Sequence, residues 1–239
     1  MAKRKDGRAA GELREVKFTR DFTKNAAASV LVEFGDTKVI VTASIEDRVP
    51  RFLVDSGKGW LTAEYSLLPG STDKRVSRDR GTHISGRTQE IQRLIGRCLR
   101  AAVDLKKIGE RTIIIDADVI QADGGTRTAS ISGGFVALYD AMQKLKEKGK
   151  IQENPVLEPV AAISVGILKG EVLLDVNYAE DSNADADANI VMTESGKFLE
   201  FQATSEGAPI HKEDFIKISE IAETGIKDII KLQKQVLSI

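Results

Sequence analysis

Three short stretches of the chain carry residue types whose spacing can do chemistry on phosphate. Arg87 precedes Ile91 by four residues, so a helix through this region sets it on the apolar stripe and not on the solvent face. An arginine there must be paired or must face a site. It also sits in a first helical turn, where free N–H groups and the macrodipole favour an anion. A bound anion answers that charge, as does a carboxylate such as Asp116 or Asp118. The second stretch is Gly124-Gly125-Thr126-Arg127-Thr128, which follows a strand-like run and opens a helix-like one. Its glycines allow close backbone approach, its threonines bring hydroxyls, and Arg127 brings charge. It has neither the P-loop lysine nor the G-x-G-x-x-G spacing, so it is not a nucleotide loop of either kind. The third stretch, Glu180 to Asp187, holds four carboxylates in eight residues. Asp181 and Asp187 are six apart, and a turn or short helix can bring their oxygens together on Mg²⁺. An acidic surface loop is the plain alternative, and the spacing of an EF-hand is not met.

What is missing narrows the chemistry. The only histidines are His83 and His211, no G-x-S-x-G elbow occurs, and the single cysteine, Cys98, falls on a core stripe. Catalysis by a protein nucleophile is therefore not expected. An anion pocket with a carboxylate pair points to phosphoryl transfer by positioning and charge neutralisation, with water or phosphate as the attacking group.

The overall charge hides this design. The 239 residues carry 35 basic against 36 acidic groups, a net charge of −1. From Gly70 to Arg111, however, eleven basic residues face five acidic ones, and from Ile151 onward sixteen acidic face seven basic. All 15 arginines lie at or before Arg127. Arginine's planar fork suits bidentate phosphate contacts better than lysine's point charge. Residues 70–86 read as a basic, mobile loop, in which Lys74, Arg75 and Arg78 are the best candidates to follow an RNA backbone. Arg93, Arg97 and Arg100 recur at i, i+4, i+7 on the face of a helix away from its apolar stripe. That face can be solvated, an interface or an RNA track.

The elements that must position these groups are legible as hydrophobic periods. β-type runs cover 29–34, 38–44, 60–66, 112–119, 160–168, 171–177, 189–193 and 198–203. Helical stripes cover about 87–107, 128–147 and 212–236, with Phe215 expected inward on the last. Paired strands with interposed helices predict one α+β domain over 1–239 with mixed sheets, ending in a 205–239 segment that carries the amphipathic helix. No run of 18 apolar residues occurs and the basic start lacks the apolar core of a signal peptide, so a cytoplasmic protein is expected, with no membrane contact.

Several segments, in order along nearly the whole chain, resemble the bacterial ribonuclease PH family: EFGDTKVIVTASIEDRVPRFL, GWLTAEYSLLP, SGRTQEIQRLIGRCLRAAVDL, GERTIIIDADVIQADGGTRTAS and AAISVGI, then the acidic run. The resemblance implies a ribosomal protein S5 domain 2-like fold and a homohexameric ring, a trimer of dimers. It implies a phosphate-dependent 3′→5′ exoribonuclease that trims tRNA precursors, releases nucleoside diphosphates and runs in reverse as a nucleotidyltransferase. Inorganic phosphate would be the co-substrate, held by Arg87 and by the Gly125, Thr126 and Arg127 group. Asp181 and Asp187 would hold Mg²⁺ or Mn²⁺ and, with Arg87, serve the chemistry. Arg75 and Arg78 match loop positions that guide tRNA, and Arg93 and Arg97 are further candidate RNA contacts. The chain departs from the family's pattern at Gly70, where an arginine is usual, at Ala188, where methionine is usual, and over Gln202–Ser205. None of these falls on the phosphate or metal positions.

Overall fold

A computed structural model describes residues 4–79, 84–206 and 209–239. Residues 80–83 of the basic stretch, with Arg80 and His83, and residues 207–208 lie outside the described residues. The first half forms a five-stranded sheet from β1 (Val16–Arg20), β2 (Ala28–Phe34), β3 (Thr37–Glu46), β4 (Trp60–Leu67) and β5 (Thr112–Gln121), in the order β1-β2-β3-β5-β4. Only β4 and β5 run parallel, joined across α1 (Gly86–Ala101) and the single turn α2 (Leu105–Ile108). The second half forms the sheet β7-β6-β8-β9 from β6 (Val160–Leu168), β7 (Glu171–Leu174), β8 (Ala186–Thr193) and β9 (Phe198–Ser205). Every pair in it is antiparallel, so only the first sheet is mixed. The remaining helices are α3 (Thr126–Glu147), α4 (Tyr178–Asp181) and α5 (Lys212–Leu237). The whole is an α+β fold of the kind the sequence predicts.

α3 lies between the two sheets. It packs on β2, β3 and β5 on one side and on β6 and β8 on the other. Residues Thr128 to Leu138 are buried without a break, which is why the segment shows a weak helical stripe: a helix covered all round has no solvent face to pattern. Its small residues permit the approach. A Cβ on Gly133 would stand 2.7 Å from Val32, and one on Gly134 2.9 Å from Leu99. The apolar cluster that results runs from Phe18 in β1 to Leu237 in α5 without interruption.

Two expectations need correction. The helix read over 87–107 breaks at Ala102 because a neighbouring segment captures its backbone. Leu157 N–H donates to the Ala102 carbonyl at 2.8 Å, Asp104 N–H donates to the Pro155 carbonyl at 2.9 Å, and the Asp104 side chain then caps α2 through Lys106 N–H. Phe215, expected inward, is 46% exposed, its ring against Phe201 with centroids 4.2 Å apart.

Candidate active site

α1 starts where Ser85 accepts a hydrogen bond from Thr88 N–H at 3.1 Å. Its stripe of Ile91, Leu94, Ile95, Cys98 and Leu99 is buried as expected. Arg87, one turn earlier, runs off the end of that stripe into a cleft; it is exposed and bonds neither Asp116 nor Asp118. Burial pushes the Cys98 thiol up to about 12, so it offers no nucleophile.

The cleft, of about 1210 Å³, opens between the two sheets at the N-terminus of α3. Gly124, Gly125, Thr126 and Arg127 form one wall. Gly124 (φ 75°) and Gly125 (φ 66°) both take left-handed backbone. A Cβ on Gly124 would lie 2.6 Å from the Val176 carbonyl, so only glycine lets the segment leading into α4 pass this close. That approach sets Asp181, the last residue of α4, opposite Arg127. A capping box between Asn177 and Glu180 fixes the short helix. Asp187 follows on β8, and both aspartates line the cleft with Arg87. The structure thus brings Arg87, Gly125, Thr126, Arg127, Asp181 and Asp187 together. Lys74 joins them at the rim, whereas Arg75, Arg78, Arg93 and Arg97 are exposed outside it.

The electrostatics are unbalanced toward ligand. Partial burial in the cleft raises Asp181, although much of the residue stays open to solvent, and Asp187 and Glu206 raise it further. Burial and Glu206 likewise raise Asp187, against the pull of Arg127 and Arg87. Crowded carboxylates held above their ordinary range suit a divalent cation. Among the described residues no group of three or more His, Cys, Asp or Glu is gathered closely enough to enclose a metal. A carboxylate pair with open positions is the donor set Mg²⁺ accepts, since it keeps waters and takes substrate phosphates as ligands. Arg127 Nη1 donates to Glu90 at 3.1 Å and to Gln202 at 2.9 Å.

Sequence reasoning missed several members. Tyr65 shares a 2.8 Å hydrogen bond with Thr126 Oγ1 and so orients that hydroxyl; burial raises its phenol. Ser164, Asn189 and Glu206 line the floor and rim. Arg14 holds the loop from behind, donating to the Asp123 carbonyl at 2.5 Å and to Asp175 Oδ1 at 2.7 Å. Only the strand period of β6 and β8 could have placed Ser164 and Asn189 on one face; nothing local marks Arg14.

Cationic groups at a helix N-terminus facing two carboxylates make a cleft for phosphoryl transfer between anions, in an α+β protein of two sheets around a buried helix. The comparisons agree. The profile described as the 3′ exoribonuclease family, domain 1, matches residues 12–143, and domain 2 of the same family matches 158–225. The chain belongs to the 3′ exoribonuclease family. It is 56% identical over 237 residues to the ribonuclease PH of Corynebacterium kroppenstedtii, covering 98% of this chain and 93% of that protein. Among solved structures it resembles rice (Oryza sativa) Rrp46, with a TM-score of 0.79 and 22% identity over 98% of this chain and all of that one. It also resembles the Archaeoglobus fulgidus exosome with RNA bound to the active site, with a TM-score of 0.81 and 20% identity over 96% and 92% of the two chains. At such identities these structures speak for the fold. Among the described residues no helix is long and apolar enough to cross a membrane.

Proposed function

We propose that the chain is a phosphate-dependent 3′→5′ exoribonuclease and tRNA nucleotidyltransferase. Inorganic phosphate attacks the phosphorus of the terminal nucleotide, the bond to the preceding 3′-oxygen breaks, and a nucleoside 5′-diphosphate leaves. The same groups run the reverse addition. The observation that carries this reading is the opposition of Arg87 and Arg127 to Asp181 and Asp187 across one cleft, with the one cysteine buried and its thiol pushed up to about 12. Bringing a phosphate dianion against a phosphodiester costs mutual repulsion, and the two guanidinium groups and the N–H groups of Gly125 and Thr126 reduce it. Tyr65 holds the Thr126 hydroxyl by a hydrogen bond between two residues of the cleft lining. Asp181 and Asp187 would hold Mg²⁺ or Mn²⁺, which when bound supplies charge neutralisation at the departing 3′-oxygen.

Lys74 at the rim, Arg75 and Arg78 beyond it, and Arg93 and Arg97 on the exposed side of α1 mark the path of the RNA strand. The substrates are tRNA precursors with a single-stranded 3′ end, in the cytoplasm. The chain acts as a single domain, supported by the unbroken apolar cluster that joins both sheets. It assembles as a homohexamer, a trimer of dimers. Exposed Phe52, Phe198, Phe215 and Ile216, and β9 at the end of its sheet, are the surfaces such a ring would cover.

The test is a 3′-extended RNA incubated with and without inorganic phosphate. Nucleoside diphosphates formed only with phosphate support the proposal; monophosphates point to hydrolysis, and no release points to a subunit that only binds RNA. Arg87→Ala and Asp187→Ala should each abolish the phosphate-dependent products, and near-normal release from either would remove its assigned role.

A further inference from the structure

Two polar residues on the cleft floor have no part in the reading above. Ser164, on β6, is 5% exposed, and its Oγ has no hydrogen-bond partner among the described residues. A buried hydroxyl left unpaired is costly and calls for an explanation. Its place supplies one. Ser164 Oγ lies 3.5 Å from where a Cβ on Gly125 would stand, against the first residues of α3. Across the antiparallel pair of β6 and β8, Ser164 is opposite Asn189, so the two side chains leave the sheet on one face. Asn189 is itself 9% exposed, and Asp187, two residues earlier in β8, shares that face. All three line the cleft.

The wall above this floor leaves work for such groups. Nη1 of Arg127 is already engaged by Glu90 and Gln202, so it cannot serve every oxygen of a bound phosphate. A hydroxyl and a carboxamide are donors without charge. They add hydrogen bonds to an anion without adding another cation beside Asp187.

We propose that Ser164 and Asn189 form a neutral subsite for the attacking inorganic phosphate, completing the shell begun by Gly125, Thr126 and Arg127. The proposal rests on the phosphorolytic reading and names two residues that fix its co-substrate. A structural role would show as lost stability; Ser164→Ala instead removes an oxygen with no hydrogen-bond partner among the described residues, and so should not lower stability.

The experiment titrates inorganic phosphate into the full chain and into Ser164→Ala and Asn189→Ala, by calorimetry, and measures KM for phosphate and for RNA separately. Each variant is expected to weaken phosphate binding about tenfold, the size of one hydrogen bond to a charged group. KM for phosphate should rise in step, with KM for RNA within error of the parent and the midpoint of thermal unfolding no lower. Should Asn189→Ala fold poorly, Asn189→Ser serves in its place. Unchanged phosphate affinity in both variants overturns the subsite and leaves phosphorolysis standing. Weakened phosphate binding in a chain that releases no diphosphates keeps the subsite and removes the reaction. A parent chain that binds no phosphate overturns the subsite outright.

Discussion

Glu180 and Asp181 are adjacent in a four-residue helix, yet they face regions of opposite electrostatic design. Behind the cleft, Arg4 donates to Glu180 through Nε and Nη2, both at 2.7 Å, and Arg14 grips Asp175 through its backbone N–H, Nε and Nη2. These groups are nearly all inaccessible: the side chains of Arg4 and Arg14 are 1% and 6% exposed. In front, Arg87 and Arg127 act on Asp181 and Asp187 only through space. Burial would raise Glu180, but the bonds from Arg4 and from Asn177 N–H outweigh it and hold the group below its ordinary range, while Asp181 is pushed up. The difference teaches which charges are structural. Those paired behind the cleft, Arg4, Arg8 and Arg14 on Asp175 and Glu180, hold the N-terminal segment, the glycine loop and α4 in register. Those kept apart in front are left for a ligand to neutralise.

The largest effects should separate the two regions. Arg14→Ala strips the fully buried Asp175 of its nearest cation and two charged hydrogen bonds, leaving Arg8 at 3.8 Å, and breaking such a buried pair costs about 3–5 kcal/mol. Urea unfolding should show that loss. Arg127→Ala should cost less than about 1 kcal/mol, because its pair with Glu90 is half open to water, yet lower the phosphate-dependent rate about 10²–10³-fold, the size of a lost oxyanion contact. If Arg127→Ala destabilised the fold as much as Arg14→Ala, the division between the regions would be wrong.

That division also explains what could be read from the chain alone. Arg87, Arg127, Asp181 and Asp187 stood out because each breaks a local rule: an arginine on an apolar stripe, a basic residue in a glycine turn, carboxylates crowded after a strand. The main strands and helices were legible because their apolar residues repeat with period 2 or 3.6. β1 and α4 were not. β1 (VKFTR) alternates over too few residues, and α4 is one turn held by a capping box and by its approach to Gly124. The clamp was invisible for a different reason. Arg4 and Glu180 are 176 positions apart, and nothing within either segment announces the other. The break at Ala102 has the same origin, since it depends on residues 155–157.

A smaller effect follows from pH. Glu180, held low in the folded state, contributes stability that is complete above its ordinary value of 4.5 and is lost as pH falls through the lower folded value. Asp181 and Asp187, held high, do the reverse: their charged forms oppose folding, and that opposition disappears as pH falls through their raised values. Asp187→Asn should therefore raise the unfolding midpoint at neutral pH while removing activity. The gain should vanish in acid, where Asp187 is protonated in the parent. Glu180→Gln should instead lower the midpoint at neutral pH, with the loss shrinking below pH 4.5. Paired melting curves of the two variants across that range check both signs.

The smallest expected effect lies outside the cleft, on the exposed side of α1. Arg97 is 60% exposed and bridged to Glu200 of β9, whereas Lys74 stands at the cleft rim among the described residues without a carboxylate partner. A cation that neutralises an RNA phosphate releases a counterion, so each single-strand contact adds about 0.7 to the slope of log affinity against log salt. Lys74→Ala should flatten that slope by about this amount with stability unchanged. Arg97→Ala should flatten it by less, because Glu200 already answers part of the charge, and should shift stability by no more than about 1 kcal/mol. Glu200→Gln sharpens the contrast by releasing Arg97 and so should steepen the slope. If Arg97→Ala and Lys74→Ala flattened it equally, Arg97 would belong with the unpaired charges that wait for a ligand, and the RNA path would run along α1 as fully as along the rim.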